Sequence, residues 1–397
     1  MVTRDSDRSL RIGLVCPYSL TVPGGVQGQV LGLARQLRRL GHEARVLGPC
    51  DGPPPEPFVT PLGNSLSTAA NGSIAPLAPD ASCALRTIRA LNDEEFDIVH
   101  VHEPLAPGPT LTSVLMHPAP MVGTFHAAGR SSSYQVFARQ LAWAAGRIER
   151  KVVVSAQARE LVHSHLGGEY DVLFNGVELD AIASTSPTPT AAPTIFFCGR
   201  HEERKGLAVL LEAFRELPAT VRLWIASDGP DGARLRAEHG DDKRITWLGR
   251  ISDAEKFARL RAAAAFCAPS LHGESFGVVL IEAMAAGTPV VASAIDGYRD
   301  VGTNGLDALL VEPGDATALA EALSAVIDDT LLADSLREAG RRRAQEFSMA
   351  TLAAAYTAIY RELLVAAPVD EPSSRRRRAW LPALRAVAAG VAARRPR

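Results

Sequence analysis

Two glutamates stand in one of the most apolar runs of the chain, HGESFGVVLIEAMAAGTPVVAS at 272–293. Burying an unpaired carboxylate is costly, so Glu274 and Glu282 each need a partner. If a helix begins near Ser275, they lie about 12 Å apart along its axis and about 80° around it. At this separation the two carboxylates cannot share one proton or bind one metal ion. They could each bind a different hydroxyl group of a long polyhydroxy ligand. The structural alternative is N-capping by Glu274 and an ion pair for Glu282.

A pair of cations follows the strand-like run TIFFCGR at 194–200. Arg200 and Lys205 lie in FFCGRHEERKGLAVLLEAF, immediately before a predicted helix. Two cations beside a helix N-terminus suit a diphosphate better than a single carboxylate, because they neutralise two charged groups at once. The alternative is a solvated charged turn, since Glu202, Glu203 and Arg204 lie between them.

A glycine-rich turn follows the first strand-like run. Gly24, Gly25 and Gly28 open a predicted helix in SLTVPGGVQGQVLGLARQL. Glycines allow a ligand to approach the backbone closely, and the free N–H groups at a helix start favour an anion. The spacing is not the GxGxxG of dinucleotide-binding proteins. A plain strand-to-helix turn is the alternative.

Histidines end two other strand-like runs. His126, in GTFHAAGR, is a candidate hydrogen-bond donor to a ligand, although a lone histidine is more often structural. His100, His102 and Glu103 in VHVHEPLAPG suggest a metal, but the two histidines alternate along a strand. We therefore predict no metal site.

Short β-branched runs alternate with helical patterns along the whole chain, which is typical of βαβ units and parallel sheets. A Pro/Ser/Thr-rich stretch at 184–194 divides these runs into two groups. The runs before it are at 11–17, 96–102, 120–126, 151–156 and 170–177. Those after it are at 194–200, 221–227, 244–250, 264–270, 288–293 and 307–313. The sequence predicts an α/β protein of two doubly wound, Rossmann-like domains that face each other across a ligand-binding cleft.

The predicted domain bounds follow from this rhythm. An N-terminal domain spans 1–180, a linker spans 181–193 and a second domain spans 194–348. The linker is indicated by the stretch STSPTPTAAPT at 184–194. A helix at 349–367 is expected to return to the first domain. A basic tail at 368–397 is disordered or amphipathic.

Composition excludes several classes of protein. The 397 residues carry a net charge of -2, which leaves no global nucleic-acid footprint. The five cysteines are an odd number without CxxC spacing and suggest reduced thiols in the cytosol. No secretory signal and no uncharged apolar run of about 18 residues is present. We expect a cytoplasmic protein.

These motifs together resemble the retaining glycosyltransferases of the GT-B fold, family 4. HGESFGVVLIEAMAAGTPVVAS resembles the family's E-x7-E signature, CGRHEERKG its Arg/Lys diphosphate site, FNGV its interdomain motif and VPGGVQ its N-terminal glycine loop. The resemblance covers about residues 10–365. Within the family the chain most resembles the phosphatidyl-myo-inositol mannosyltransferases, notably in RIGLVCPYSLTVPGGVQ, DIVHVHEP and GTFH.

The resemblance implies roles on the donor side. It implies that Arg200 and Lys205 hold the donor diphosphate with the Gly24–Gly25 backbone, and that Glu282 binds the ribose. Glu274 would bind the sugar hydroxyls, and His126 would face the reacting sugar. The implied catalytic residues are His126, Glu274, Arg200 and Lys205. The implied donor-binding residues are Gly24, Gly25, Arg200, Lys205, Glu274, Ser275, Phe276, Gly277 and Glu282. No cofactor is expected to be required, although a divalent cation can stimulate. A donor phosphate oxygen is expected to take the acceptor proton.

The chain departs from the family pattern on the acceptor side. Ala70, Leu105 and Ala127 replace a tyrosine, an asparagine and a threonine of the phosphatidylinositol-specific enzymes. Polar contacts to the acceptor remain available from Tyr18, Gln27, Asn71, Ser73 and Arg130.

The tail SSRRRRAWLPALRAVAAGVAARRPR, at 373–397, has apolar residues between arginine clusters. It suits an anionic membrane surface, and a disordered, solvated tail is the alternative. A nucleic-acid partner is not expected. The corresponding location is cytoplasmic, peripheral on the inner face of the plasma membrane.

The expected function is transfer of a hexose, namely mannose from GDP-mannose, to a lipid-linked or inositol-type acceptor such as phosphatidylinositol. Three alternatives stay open. The first is another family 4 enzyme with a UDP-sugar and a different acceptor, and the second is a nucleotide-sugar epimerase of the same fold. The third is a nucleotide-sugar sensor without turnover. A dehydrogenase is disfavoured, because neither domain has the dinucleotide fingerprint.

Overall fold

The computed structural model describes residues 8–70, 73–127, 134, 136–274 and 276–366. The chain divides into two compact units. Unit 1 comprises Met1–Leu173 and Ala353–Arg397, and unit 2 comprises Phe174–Leu352.

Unit 1 is built on a seven-stranded parallel sheet with a small antiparallel hairpin. Its strands in chain order are β1 Arg11–Val15, β2 Glu43–Gly48, β3 Val59–Pro61, β4 Leu66–Ala70, β5 Ser73–Leu77, β6 Ile98–His102, β7 Met121–Phe125, β8 Arg150–Val153 and β9 Asp171–Val172. The sheet order is β3-β2-β1-β6-β7-β8-β9, and β4 pairs with β5. Every residue of the central β6 and β7 is buried, as expected for strands that are covered on both faces.

The helices of unit 1 connect these strands and cover the sheet. They are Gly25–Arg39, Ala81–Asp93, Pro109–Met116, Ala138–Ala145 and Ala156–Leu166. Asp80 and Ser155 cap two of them, each accepting a hydrogen bond from a backbone N–H three residues on. The long helix Met349–Ala366 begins in unit 2 and belongs to unit 1 from Ala353 onwards. The predicted return of this helix to the first domain is therefore confirmed.

Unit 2 has a six-stranded parallel sheet. Its strands are β10 Thr194–Cys198, β11 Arg222–Ala226, β12 Ile245–Gly249, β13 Ala265–Ala268, β14 Val290–Ser293 and β15 Leu309–Val311. The order β12-β11-β10-β13-β14-β15 reverses direction between β10 and β13, as in a doubly wound nucleotide-binding sheet. Its helices are Leu179–Ala183, Leu207–Phe214, Gly232–His239, Asp253–Ala262, Val278–Ala286, Asp296–Arg299, Ala316–Asp328 and Thr330–Glu346, with a short 3-10 turn at Glu203–Lys205.

The boundary between the units lies at Leu173 and Phe174, before the predicted linker. The predicted linker residues 181–193 belong to unit 2, where the backbone N–H of Thr188 donates to the carbonyl of Ala258. Residues 181–183 of the predicted linker form the end of the helix Leu179–Ala183. The two-unit α/β architecture is confirmed, and the predicted tail at 368–397 lies outside the described residues.

Candidate active site

A network of ion pairs lies at the carboxyl end of the sheet of unit 2. Lys205 Nζ and Arg204 Nη1 both donate to Oε1 of Glu274, at 2.5 and 3.0 Å. Arg204 Nε also donates to Oε2 of Glu202, at 2.8 Å, and Glu202 pairs with Arg200 as well. Three cations and two carboxylates thus form one connected group. The structure brings together Arg200, Lys205 and Glu274, which the sequence predicted as donor-binding residues.

Adjacent strands bring these side chains together. Glu274 follows β13 and the cations follow β10, which pairs directly with β13. The turn Glu203–Lys205 ends at Gly206, whose φ of 67° lies in the left-handed region. A Cβ at this position would collide with the carbonyl of Pro269. A glycine is therefore required for the loop after β10 to approach the loop after β13.

Glu274 precedes the helix by more residues than the sequence predicted. The expected helix start near Ser275 is wrong, because the helix is Val278–Ala286 and its N-cap is Gly277 with a φ of 57°. The left-handed conformation at Gly277 breaks the helical pattern, and the ring of Tyr298 packs where a Cβ would lie. Glu274 is therefore in a loop, and its partners are Arg204 and Lys205. The helical separation predicted for Glu274 and Glu282 does not apply.

Glu282 is held on the helix Val278–Ala286 by a neighbouring lysine. Lys256 Nζ lies 2.8 Å from Glu282 Oε1 and 3.1 Å from Asp253 Oδ1. Burial alone would lower the pKa of Lys256, but the two carboxylates raise it above its usual value. Glu282 is thus a paired carboxylate of unit 2. The ion pair proposed as its structural alternative is present.

Phe276 has a different environment from the one expected of a donor contact. Its side chain is 1% exposed and stacks on Phe174, with ring centroids 4.9 Å apart, and its ring also packs edge-on against Phe347. The buried ring is not accessible to a ligand, so the predicted donor contact of Phe276 stays a prediction for its backbone. Ser275, also predicted to bind the donor, lies outside the described residues.

A second polar group lies at the carboxyl ends of the strands of unit 1. His126 follows β7, and its Nε2 is 3.0 Å from Nδ1 of His102, the last residue of β6. Glu103 accepts hydrogen bonds from the backbone N–H groups of His126 and Ala127, at 2.6 and 2.5 Å. Burial lowers the pKa of His126 to about 4 and raises the pKa of Glu103 to about 7. His126 is therefore a neutral imidazole at physiological pH.

Two tyrosines of the C-terminal helix complete this group. Tyr360 Oη lies 2.7 Å from Nδ1 of His100, and Tyr356 Oη lies 2.8 Å from Oγ1 of Thr124. The other nitrogen of His100 is 2.7 Å from the same Thr124 oxygen. The ring of His100 stacks on that of His102, with centroids 4.3 Å apart. Buried hydrogen bonds thus connect the helix from Ala353 onwards to the strands that carry the histidines.

The glycine turn follows β1 in unit 1. Gly24 is the N-cap of the helix Gly25–Arg39 in an extended conformation, and both glycines are exposed. Gln27, expected to contact the acceptor, is buried and donates to the carbonyls of Val22 and Ser19. Its amide nitrogen therefore holds the turn together. The contact of the exposed Gly24–Gly25 backbone with an anion stays a prediction.

The remaining acceptor candidates are only partly described. Tyr18 is half-buried, and burial raises the pKa of its phenol above the usual value, so it stays protonated. Ser73 begins β5, whereas Asn71 and Arg130 lie outside the described residues. Leu105, which replaces an asparagine of the family pattern, is 6% exposed and packs in the core of unit 1.

Sequence reasoning gave no ligand-binding role to several of these residues. The sequence predicts Glu202 and Arg204 only in a solvated charged turn, and it predicts a structural role, not a metal site, for His102 and Glu103. Lys256 was not considered. The adjacency of Arg204 to Lys205 is a signal that could have identified the third cation. For Lys256, whose partner lies in another helix, the sequence carries no comparable signal.

Within the described ranges, no group of three or more His, Cys, Asp or Glu residues is arranged to hold a metal ion. None of the helices in that part of the chain is both long and apolar enough to cross a membrane.

Comparison with family models identifies two matching regions. Residues 23–181 match the model described as Glycosyltransferase Family 4, and residues 192–329 match the model described as Glycosyl transferases group 1. His102, Glu103 and His126 of unit 1 lie within the first region, and the ion-pair network of unit 2 lies within the second.

Curated relatives match most of the chain. A phosphatidyl-myo-inositol mannosyltransferase of Mycobacterium leprae is 38% identical over 362 residues, which are 88% of this chain and 96% of the relative. The protein of the same name from Propionibacterium freudenreichii is 32% identical over 375 residues, covering 88% of this chain and 94% of the relative.

Solved structures share the fold. A sucrose-phosphate synthase from Thermosynechococcus elongatus superposes with a TM-score of 0.72 at 22% identity, over 91% of this chain and all of that one. Anabaena HepE in complex with UDP and glucose gives a TM-score of 0.68 at 18% identity, over 89% of this chain and 100% of that one. With its two Rossmann-like units and its matches to the family, the chain belongs to glycosyltransferase family 4 and is a glycosyltransferase of the GT-B fold.

Proposed function

We propose that this glycosyltransferase transfers mannose from GDP-mannose, with retention of the anomeric configuration, to an inositol-type or lipid-linked acceptor such as phosphatidylinositol. The names of the relatives support this proposal, since proteins at 32% and 38% identity are phosphatidyl-myo-inositol mannosyltransferases. Because they cover most of the chain, the similarity includes both units.

The ion-pair network of unit 2 is the observation that carries the proposal. Arg200, Arg204 and Lys205 are paired with carboxylates, and a diphosphate offers these cations the same negative charge. We propose that Arg200 and Lys205 bind the donor diphosphate. The hydrogen bonds from Arg204 and Lys205 both reach Oε1 of Glu274, so we assign its Oε2 to the donor sugar.

The other donor contacts follow from the same placement. We assign the ribose to Glu282, whose carboxylate Lys256 holds in place, and a further part of the diphosphate to the Gly24–Gly25 backbone. The protein's own cations neutralise the donor charge, so we propose that no cofactor is required and that a divalent cation can stimulate.

The proposed reaction exchanges one bond for another. The acceptor hydroxyl oxygen bonds to the anomeric carbon as the bond from that carbon to the phosphate oxygen breaks. GDP leaves with the electron pair, and its phosphate oxygen takes the acceptor proton on the same face. The neutral imidazole of His126 donates a hydrogen bond to the reacting sugar, an interaction that lowers the barrier to the extent that it strengthens in the transition state.

A second candidate is a family 4 enzyme with a UDP-sugar and a different acceptor. Leu105 is buried in the core and Ala127 has no hydroxyl, so two polar groups of the family's acceptor pattern are missing.

We also propose that the basic tail at 368–397 brings the enzyme to an anionic membrane at the cytoplasmic face.

A nucleotide-sugar screen separates these candidates. Thermal unfolding is measured with GDP-mannose, UDP-glucose and UDP-galactose, because a ligand that binds only the native state raises its stability. The stabilising donor is then incubated with vesicles that contain phosphatidylinositol, and label in the lipid fraction is counted. We expect stabilisation by GDP-mannose and labelled lipid. Stabilisation by UDP-sugars alone would overturn the donor assignment, and binding without transfer to any acceptor or to water would favour a sensor.

A further inference from the structure

The hydrogen bond between His102 and His126 constrains where the proton of His126 lies. Burial lowers the pKa of His126 to about 4 and also lowers that of His102, with smaller effects from His100 and His126. Both rings are therefore neutral, and in a neutral pair one ring must donate and the other must accept. The contact joins Nδ1 of His102 to Nε2 of His126.

Two arrangements satisfy this contact, and each determines the other nitrogen of both rings. If His102 donates from Nδ1, its Nε2 is a bare nitrogen and His126 carries its proton on Nδ1. If His126 donates from Nε2, His102 must carry its proton on Nε2, and the Nδ1 of His126 is bare. Only the first arrangement makes the remaining nitrogen of His126 a hydrogen-bond donor.

The surroundings of His102 discriminate between the two arrangements. Its Nε2 is buried and has no hydrogen-bond partner among the described residues. In the second arrangement this atom would be an orphaned N–H donor, which is rarer in protein interiors than an under-satisfied acceptor. The first arrangement leaves only a bare acceptor nitrogen at that position.

The ring of His102 is also held in place from both sides. It stacks on His100 at 4.3 Å and on His126 at 5.3 Å between centroids. His100 is itself fixed by hydrogen bonds to Tyr360 and Thr124. Rotation of His102 would disturb this buried stack, so its Nδ1 stays directed at His126.

We propose that His102 is a positioning residue that donates from Nδ1 to His126 and thereby presents Nδ1–H of His126 as the donor to the ligand. The contact between the two rings uses Nε2 of His126, so Nδ1 is the ring nitrogen that this hydrogen bond leaves for the ligand. This inference rests on the proposed role of His126 in transfer. In this role the hydrogen bond from His102 selects the tautomer of His126.

Histidine tautomers are observed directly in long-range proton–nitrogen correlation spectra of the full chain labelled with nitrogen-15 histidine. The signal of His126 is identified by its loss in His126→Asn. In the wild-type protein at neutral pH we expect His126 to carry its proton on Nδ1 and to have a bare Nε2. A proton on Nε2 of His126 would overturn the proposal.

Two substitutions of similar size test the role of the donor atom. In His102→Asn the amide nitrogen takes the place of Nδ1, so we expect the His126 tautomer and the transfer rate to stay close to those of the wild type. In His102→Gln the amide nitrogen takes the place of Nε2, so we expect a mixed tautomer and a kcat lower by about 10- to 100-fold. The donor KM is expected to change little, since the diphosphate contacts are elsewhere.

Circular dichroism and GDP binding establish that each variant is folded. If His102→Gln keeps the wild-type tautomer, the proposal is wrong. If the tautomer shifts but kcat does not fall, the positioning role in transfer is also wrong, while the glycosyltransferase assignment stands on other residues. Loss of transfer in both variants with unchanged tautomers would indicate a packing role and would overturn the proposal.

Discussion

Glu103 is a buried carboxyl group in a backbone conformation that few non-glycine residues adopt. Its φ is 49°, and its side chain accepts two backbone hydrogen bonds from the turn that carries His126. Burial raises its pKa to about 7, and the two hydrogen bonds oppose that shift. The carboxyl group therefore titrates in the range where the enzyme is expected to work.

The pH dependence of stability tests this environment. The pKa of Glu103 rises from an ordinary 4.5 to about 7 on folding, so the native state binds the proton more tightly. The contribution of Glu103 to the free energy of unfolding therefore falls as the pH rises through this window. Glu103→Gln stays neutral, so its stability relative to the wild type should rise across the window by about 3 kcal/mol.

Urea unfolding at a series of pH values measures this difference. His100 and His126 have pKa values lowered to about 3 and about 4, and they weaken the fold as the pH drops below 6.5. They titrate in both proteins, so their contribution largely cancels in the comparison. Glu169→Gln, at a side chain that is 93% exposed, is the matched control and should show a flat difference. A flat difference for Glu103→Gln would contradict the assigned environment.

At the scale of elements, the C-terminal helix contributes polar groups to the interior of unit 1. Tyr356 and Tyr360 are almost completely buried, and their hydroxyls bond to Thr124 and His100. A buried polar group without its partner costs free energy, so these hydroxyls matter more for stability than their size suggests.

Two tyrosine substitutions isolate this effect. Tyr360→Phe removes the partner of His100 Nδ1 and should lower the free energy of unfolding by about 1–3 kcal/mol. Tyr170 is also buried, but its hydroxyl has no hydrogen-bond partner in the described part of the chain. Tyr170→Phe should therefore be neutral or stabilising. Urea unfolding of both variants measures the difference, and equal losses would refute the assigned role of the Tyr360 hydroxyl.

The sequence predicted most sheet strands, because fully buried parallel strands are continuous apolar runs. β2, β3 and the hairpin strands β4 and β5 were not predicted. In β2, exposed Glu43 and Arg45 interrupt the apolar pattern, and β3 has only three residues. The helix start at Val278 was also missed, because Gly277 takes a left-handed conformation that depends on packing against Tyr298. Strands follow from local pattern, whereas these features depend on tertiary contacts.

At the scale of the whole molecule, the same division applies to the site. Motif spacing predicts ligand contacts for Arg200, Lys205, Glu274 and His126 from the sequence alone. It could not pair His100 with Tyr360, which is 260 residues away. A sequence pattern does not show which polar side chains from distant segments become partners in the folded chain. For the same reason it did not show that His102 is hydrogen-bonded to His126.

We propose that Lys205 binds the diphosphate of GDP-mannose and that Glu274 binds its sugar. The most direct test is the rate at which labelled mannose passes from GDP-mannose to phosphatidylinositol in vesicles. The wild type is compared with Glu274→Ala, Lys205→Ala and the control Glu203→Ala, an exposed residue of the same turn. We predict transfer by the wild type and the control, and a loss of at least about 100-fold in the other two variants, which should stay folded. Undiminished transfer by folded Glu274→Ala or Lys205→Ala would contradict the account.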